Sequence, residues 1–213
     1  MPSNPVSVSP SQAKKRIYLE TLGCAKNRVD SEIMLASLKN HGFELTMDPK
    51  VAEVIIVNTC AFLTVASEES INRILDLSDF KSSGNCEKLV ATGCLTQRYQ
   101  DSLAKQIPEL DGLLGSNGFE KIPELIHSMY EGSGNSQISL HKKPHYKQFE
   151  EQARIQTTPH HYAYLKIAEK QLKEGDIQTS QLIFRFMNNY TSSYSRFKNG
   201  MSKLQAIYGD FND

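Results

Sequence analysis

Apolar positions in the first 130 residues follow two periods in turn. Residues 16–22 (RIYLETL) read as a strand. Residues 29–40 (VDSEIMLASLKN) have apolar positions at helical spacing and stop at His41-Gly42, a helix-ending pair. Residues 43–46 fit a short edge strand, and 54–58 (VIIVN) form an unbroken β-branched run suited to a strand buried on both faces. Residues 66–79 form a second helical pattern with Ile71, Ile74, Leu75 and Leu77 inward; residues 89–92 (LVAT) form the next strand. A helix over 99–106 ends before Pro108. A strand over 112–115 (GLLG) follows, then a helix over 119–130 with Pro123 in its first turn. This βα alternation predicts an α/β fold: an open, mostly parallel sheet with helices on both faces.

The pattern then changes. EGSGNSQ and HKKPHY read as a linker. Residues 162–167 are strand-like again. Further on, Ile183, Met187, Tyr190, Tyr194, Phe197, Met201, Leu204 and Tyr208 recur in alternating steps of four and three, a helical stripe weakened by Thr191-Ser192-Ser193 and Gly200. The expected organisation is a leader over 1–14, an α/β domain over 15–130 that stands by itself, a linker over 131–153, a segment over 154–169 that ends in the strand-like run, and a helical or disordered tail over 170–213.

Charge adds little, because 24 basic residues balance 24 acidic ones; neither nucleic acid nor an anionic membrane is implied globally. The first residues carry no long apolar run, hence neither a secretory signal nor a membrane span is expected. A reducing cytoplasmic setting follows, where the four cysteines are thiols or metal ligands rather than disulfides.

Chemistry concentrates in TLGCAKN around Cys24, VNTCAF around Cys60 and ATGCLTQRY around Cys94. Each follows a predicted strand, so three cysteines can meet at one edge of a parallel sheet. That makes them a candidate metal or iron–sulfur site, assembled by the fold because no C-x-x-C pair is present. Gly23 and Gly93 permit tight turns before two of the thiols, and backbone amides there can hydrogen-bond a cluster. Cys86, in the polar stretch KSSGNCEK, reads as an incidental surface thiol. Asn27, Asn58 and Gln97 read as turn or cap residues, and Asp30 and Glu32 as carboxylates at a helix start. His160-His161 looks like a metal pair, and Lys142, Lys143, His145 and Lys147 read as a solvated basic patch.

TLGCAKNRVDSE, VIIVNTCAFLTVASEESINRIL and VATGCLTQRYQDSLAKQIPELDGLLG, in this order and spacing, resemble the N-terminal domain of the methylthiotransferases, which are radical S-adenosylmethionine enzymes. The resemblance runs over residues 16–169, and it implies that residues 154–169 are the entry to a radical S-adenosylmethionine barrel and that His160-His161 belongs to that entry segment rather than to a metal site. Lys26-Asn27 followed by Val29-Asp30-Ser31-Glu32 looks like the branch that modifies an aspartate of a small-subunit ribosomal protein; the tRNA-modifying branch has a Gln-Met-Asn version. The resemblance implies that Cys24, Cys60 and Cys94 bind an auxiliary 4Fe–4S cluster that takes part in sulfur delivery. It also implies S-adenosylmethionine and a second cluster, held in the family by a C-x-x-x-C-x-x-C loop after a Gly-Cys step. Here Ala168-Glu169 is followed by Lys170-Gln171-Leu172-Lys173, and no cysteine follows Cys94. The expectation is a sulfur-donor portion that is catalytically incomplete alone. The alternatives are a non-enzymatic interaction module, a zinc site on the same cysteines, or the tRNA branch.

Overall fold

The computed structural model describes residues 14–116, 118–131, 137–139, 153–166 and 183–187. The strands β1 (Arg16–Thr21), β2 (Glu44–Leu45), β3 (Val54–Thr59), β4 (Lys88–Gly93), β5 (Gly112–Gly115) and β6 (Gln137–Ser139) form one sheet in the order β2-β1-β3-β4-β5-β6. Every pairing in it is parallel. The helices α1 (Ala25–Asn40), α2 (Thr64–Ser78), the short α3 (Phe80–Ser83), α4 (Cys94–Gln106) and α5 (Ile122–Tyr130) connect them, with a single 3-10 turn at Phe119–Lys121 before α5. The predicted α/β sheet is therefore present and wholly parallel. Among the described residues no helix is long and apolar enough to cross a membrane.

Strand alternation divides the core into two layers. Val54 and Ile56 of β3, Val90 of β4 and Leu114 of β5 point to one side, where they meet Met34 and Leu38 of α1 and Ile122, Leu125 and Ile126 of α5. Ile55, Val57, Leu89, Ala91 and Leu113 point to the other, against Ile74 and Leu77 of α2 and Leu95 and Leu103 of α4. All six residues of β3 are buried, as the β-branched run requires of a central strand covered on both faces.

The end of α1 follows from Gly42. At φ 89° it takes the left-handed conformation. Its N–H reaches Lys39 O at 3.1 Å, and Phe43 N–H reaches Leu38 O at 3.1 Å. This is a Schellman closure, and Phe43 and Leu38 share the same apolar layer.

Several expectations are corrected. Helix α1 begins one turn early, directly after Cys24, and α4 begins at Cys94 rather than at Tyr99. Neither start carries a side-chain cap that the sequence could advertise. Because α1 starts at Ala25, Asp30 and Glu32 lie beyond its first turn and do not cap it; both are buried. Leu75 of α2 faces outward at 43% exposure, since Ile74 and Leu77 already occupy the inward face. Cys86 is not a surface thiol. It is 6% exposed and packs in the α2–α4 layer, because the polar loop turns inward just before β4. Its Sγ lies 3.4 Å from Lys88 O, and burial pushes the thiol up to about 11.

The later segments also differ. Residues 137–139, expected in a linker, add β6 beside β5. The strand-like run appears as β7 (Tyr162–Lys166), paired antiparallel with β8 (Ile183–Met187). The opening of the expected helical stripe is thus a strand; the rest of that stripe, the patch of Lys142, Lys143, His145 and Lys147, and residues 170–173 lie outside the described residues.

Two outcomes follow from this packing. Leu77→Ala removes a fully buried side chain and is expected to cost about 2–5 kcal/mol in urea unfolding. Cys86 should remain unlabelled by iodoacetamide at pH 8 in the folded chain and react on unfolding, because burial both shields it and disfavours its thiolate. Labelling of Cys86 in the native protein at the rate of an unfolded control contradicts this placement.

Candidate metal centre

Strand order places the three predicted cysteines together. The chain winds from β1 to β2 in one direction and from β3 to β6 in the other, so the order reverses between β1 and β3. Ligand sites in doubly wound sheets lie at the carboxyl ends of strands beside such a reversal. Cys24 follows β1 and occupies the N-cap of α1. Cys60 follows β3, and Cys94 follows β4 as the first residue of α4. The register sets Thr21 beside Asn58 and Thr59 beside Gly93, which brings the three strand ends side by side.

Two glycines make that approach possible. Gly23 has φ 83°, and a Cβ there would sit 2.4 Å from Cys60 Cβ and 2.7 Å from Cys60 Sγ. Gly93 has φ 97°, and a Cβ there would sit 2.4 Å from Thr59 O and 2.6 Å from Asn58 Oδ1. Any side chain would push the loop before Cys24 off Cys60, and the end of β4 off β3.

A buried polar network fixes these ends. Asn27 Nδ2 donates to Leu22 O and to Thr59 O, both at 2.9 Å. Asn58 Nδ2 donates to Asn27 O and Ser31 Oγ, again at 2.9 Å. Thr21 Oγ1 donates to Ser31 Oγ at 2.8 Å, and Thr59 Oγ1 to Thr92 O at 2.5 Å. Ser70 Oγ of α2 accepts from Cys60 N at 3.0 Å. Arg98 of α4 donates to Ala61 O at 3.0 Å. Asn27 and Asn58 are therefore cross-braces between strands rather than local turn residues.

Exposure is graded across the thiols: Cys24 is exposed, Cys94 intermediate and Cys60 buried. Burial raises the Cys94 thiol above its usual range; Lys26 pulls it down, while Cys60, Cys24 and Asp30 push it further up. Cys94 therefore lies within electrostatic reach of the other two sulfurs. Lys26 is itself buried and paired with Asp30 at 3.3 Å across one helical turn. Nothing in the apolar periodicity marked Lys26, Ser31 or Ser70 as parts of this edge. Thr96, two residues beyond Cys94, is fully buried, and its hydroxyl has no hydrogen-bond partner among the described residues. Beyond Cys60 the chain presents Phe62, Leu63 and Val65 to solvent.

The thiols share an edge without converging on a point. Among the described residues, no three His, Cys, Asp or Glu side chains are drawn together as a set that holds a metal ion. The fit is in the backbone and the donor chemistry: three thiols on adjacent strand ends, two glycine-lined approaches and a neighbouring ammonium. His160 and His161 are exposed in the turn before β7, where the His161 ring lies edge-on to Tyr162 at 5.0 Å.

Residues 16–115 match the uncharacterized protein family UPF0004. Relatives include the ribosomal protein uS12 methylthiotransferase RimO of Trichlorobacter lovleyi, 48% identical over 157 residues, which are 74% of this chain and 34% of that protein. The protein of the same name from Anaeromyxobacter sp. is 43% identical over 154 residues, covering 72% of this chain and 32% of the relative. That from Caldicellulosiruptor saccharolyticus is 41% identical over 179 residues, covering 84% and 40%. The chain thus spans roughly a third of the length of the relatives it matches. Its α/β portion, residues 16–115, is thus a UPF0004 domain, the domain found at the N-terminus of methylthiotransferases.

Proposed function

We propose that Cys24, Cys60 and Cys94 hold one 4Fe–4S cluster, and that the chain is the sulfur-donor portion of a ribosomal-protein methylthiotransferase. The supporting observation is the meeting of three cysteine-bearing strand ends at the reversal of strand order, with Gly23 and Gly93 clearing space around them. Three thiolates leave one iron of a cubane without a protein ligand, and an open position of that kind can take an exogenous sulfur species. The chain's own residues supply the mount. The Asn27–Asn58 network fixes the spacing of the strand ends, and Lys26 favours the thiolate of Cys94.

The names of the relatives, uS12 methylthiotransferases, point to a small-subunit ribosomal protein as the macromolecular substrate. A cytoplasmic setting goes with that substrate and with reduced thiols. Residues 95–213 contain no cysteine, and hence no C-x-x-x-C-x-x-C loop that would hold a second cluster or present S-adenosylmethionine. On this reading the chain is catalytically incomplete alone.

Anaerobic reconstitution followed by iron and sulfide analysis tests the cluster. About four irons and four sulfides per chain are expected, from the cubane composition. Each of Cys24→Ala, Cys60→Ala and Cys94→Ala should lose stoichiometric iron, while Cys86→Ala keeps it. Zinc in place of iron, or equal iron in all four variants, sinks the assignment; a metal-free chain as stable as the reconstituted one favours an interaction module. The incomplete-enzyme reading has a separate check. Given S-adenosylmethionine and a strong reductant, the chain alone should form no 5′-deoxyadenosine above background, and turnover would overturn it.

A further inference from the structure

Glu32 is the most deeply buried carboxylate among the described residues, at 1% exposure, and the cysteine edge does not use it. Its partners come from a distant part of the chain. Thr157 donates to Glu32 Oε1 twice, from its N–H at 2.7 Å and from Oγ1 at 3.0 Å. Arg154 Nε lies 3.8 Å from Glu32 Oε2. Ile155 N–H donates to the backbone oxygen of Glu32 at 3.0 Å. A carboxylate this deep is costly unless it is hydrogen-bonded and paired, and here segment 154–157 supplies both.

The same segment is braced internally. Gln156 Nε2 reaches Thr158 Oγ1 at 3.0 Å and Tyr162 O at 2.9 Å, and Thr158 Oγ1 donates to Tyr162 O at 2.7 Å. Arg154 Nη1 donates to Tyr164 O at 2.6 Å, within β7. Arg154 therefore bridges the carboxylate on α1 and the backbone of β7. A continuous chain of polar contacts runs from the third turn of α1 to a strand more than a hundred residues later in sequence.

We infer that Glu32 is a latch that makes residues 153–166 a strap of the α/β domain instead of a free tether. The latch fixes β7 relative to α1, and α1 carries Cys24 at its N-terminus. Whatever extends from β7 is thereby held in one orientation to the cysteine edge. The domain expected to stand alone at residue 130 is, on this view, completed only by the strap. The inference does not depend on whether a cluster binds.

Hydrogen–deuterium exchange of the full chain, read on peptides spanning 153–166, tests it. In the unaltered chain the amides of Ile155 and Thr157 should exchange at least about tenfold more slowly than in a synthetic peptide of the same sequence. Glu32→Ala should abolish that protection, while Glu32→Gln, which keeps an acceptor oxygen, should retain most of it. Exchange as fast as the free peptide in the unaltered chain, or equal protection in Glu32→Ala, overturns the latch. If Glu32→Ala also exposes the amides of β3, Thr157→Pro decides, because it deletes the short N–H bond from the exposed strap side. Loss of protection at Ile155 with β3 unchanged supports the latch, and wild-type protection at Ile155 refutes it.

Discussion

The side-chain amides of Asn27 and Asn58 tie the ends of β1 and β3 to the first turns of α1, and the positions of Cys24, Cys60 and Cys94 follow from that tie. Asn27 joins Leu22 O to Thr59 O, and Asn58 returns the link to Asn27 O and Ser31. Parallel strands leave their last carbonyls without ladder partners, and a buried carbonyl left unpaired is costly. Here the Asn27 amide serves Leu22 O and Thr59 O and, in doing so, holds the loop before Cys24 to the end of β3 that precedes Cys60. Thr59 extends the tie to β4 through Thr92 O, which brings Cys94 alongside. The cysteine edge is a product of hydrogen-bond satisfaction at strand ends, and cysteine-to-cysteine contact is not what builds it.

The strands were legible because their determinants are local. VIIVN admits few alternatives to a doubly covered strand, and GLLG between Pro108 and Pro123 is bounded on both sides. The cysteines were legible for a related reason, since each sits where a predicted strand stops. Helix starts were not. Cys24 and Gly93 are the N-caps of α1 and α4, and neither offers the Ser, Thr, Asp or Asn that signals a start. One turn of error then propagated: with α1 placed late, Asp30 and Glu32 fell on a first turn they do not occupy. Cys86 illustrates a different limit. Its neighbours Ser82, Ser83, Asn85 and Glu87 are polar, and only the inward path of the loop, with Asn85 N–H bonded to Lys50 O and Cys86 N–H to Phe80 O, buries the thiol.

Beyond residue 130 the local signals compete. Ile183 and Met187 belong to the helical stripe, yet IFRFM also alternates with period two and pairs with YAYLK. A five-residue run cannot distinguish these periods by itself, and the available partner strand decides. Residues 137–139 are similar. Gln-Ile-Ser in a Gly- and Ser-rich context carries no strand signal, but the open edge of β5 offers unpaired backbone groups that three residues suffice to use.

Helix α1 explains why the most distinctive motif of the chain is contiguous. An ordinary surface helix buries one apolar stripe, but α1 buries Lys26, Asn27, Asp30, Ser31 and Glu32 together with Val29, Met34 and Leu38. The buried polar residues serve three sets of neighbours. Lys26 pairs with Asp30 and bears on Cys94; Asn27 and Ser31 hold the strand ends; Glu32 receives the strap. A polar residue in such a place is tolerated only while its partner is present, so these requirements constrain Lys26, Asn27, Asp30, Ser31 and Glu32 individually in a way that apolar burial would not. The helix therefore links the sheet, the cysteine edge and the strap, and a sequence pattern that looks like a surface helix with charges is the record of three separate buried interfaces.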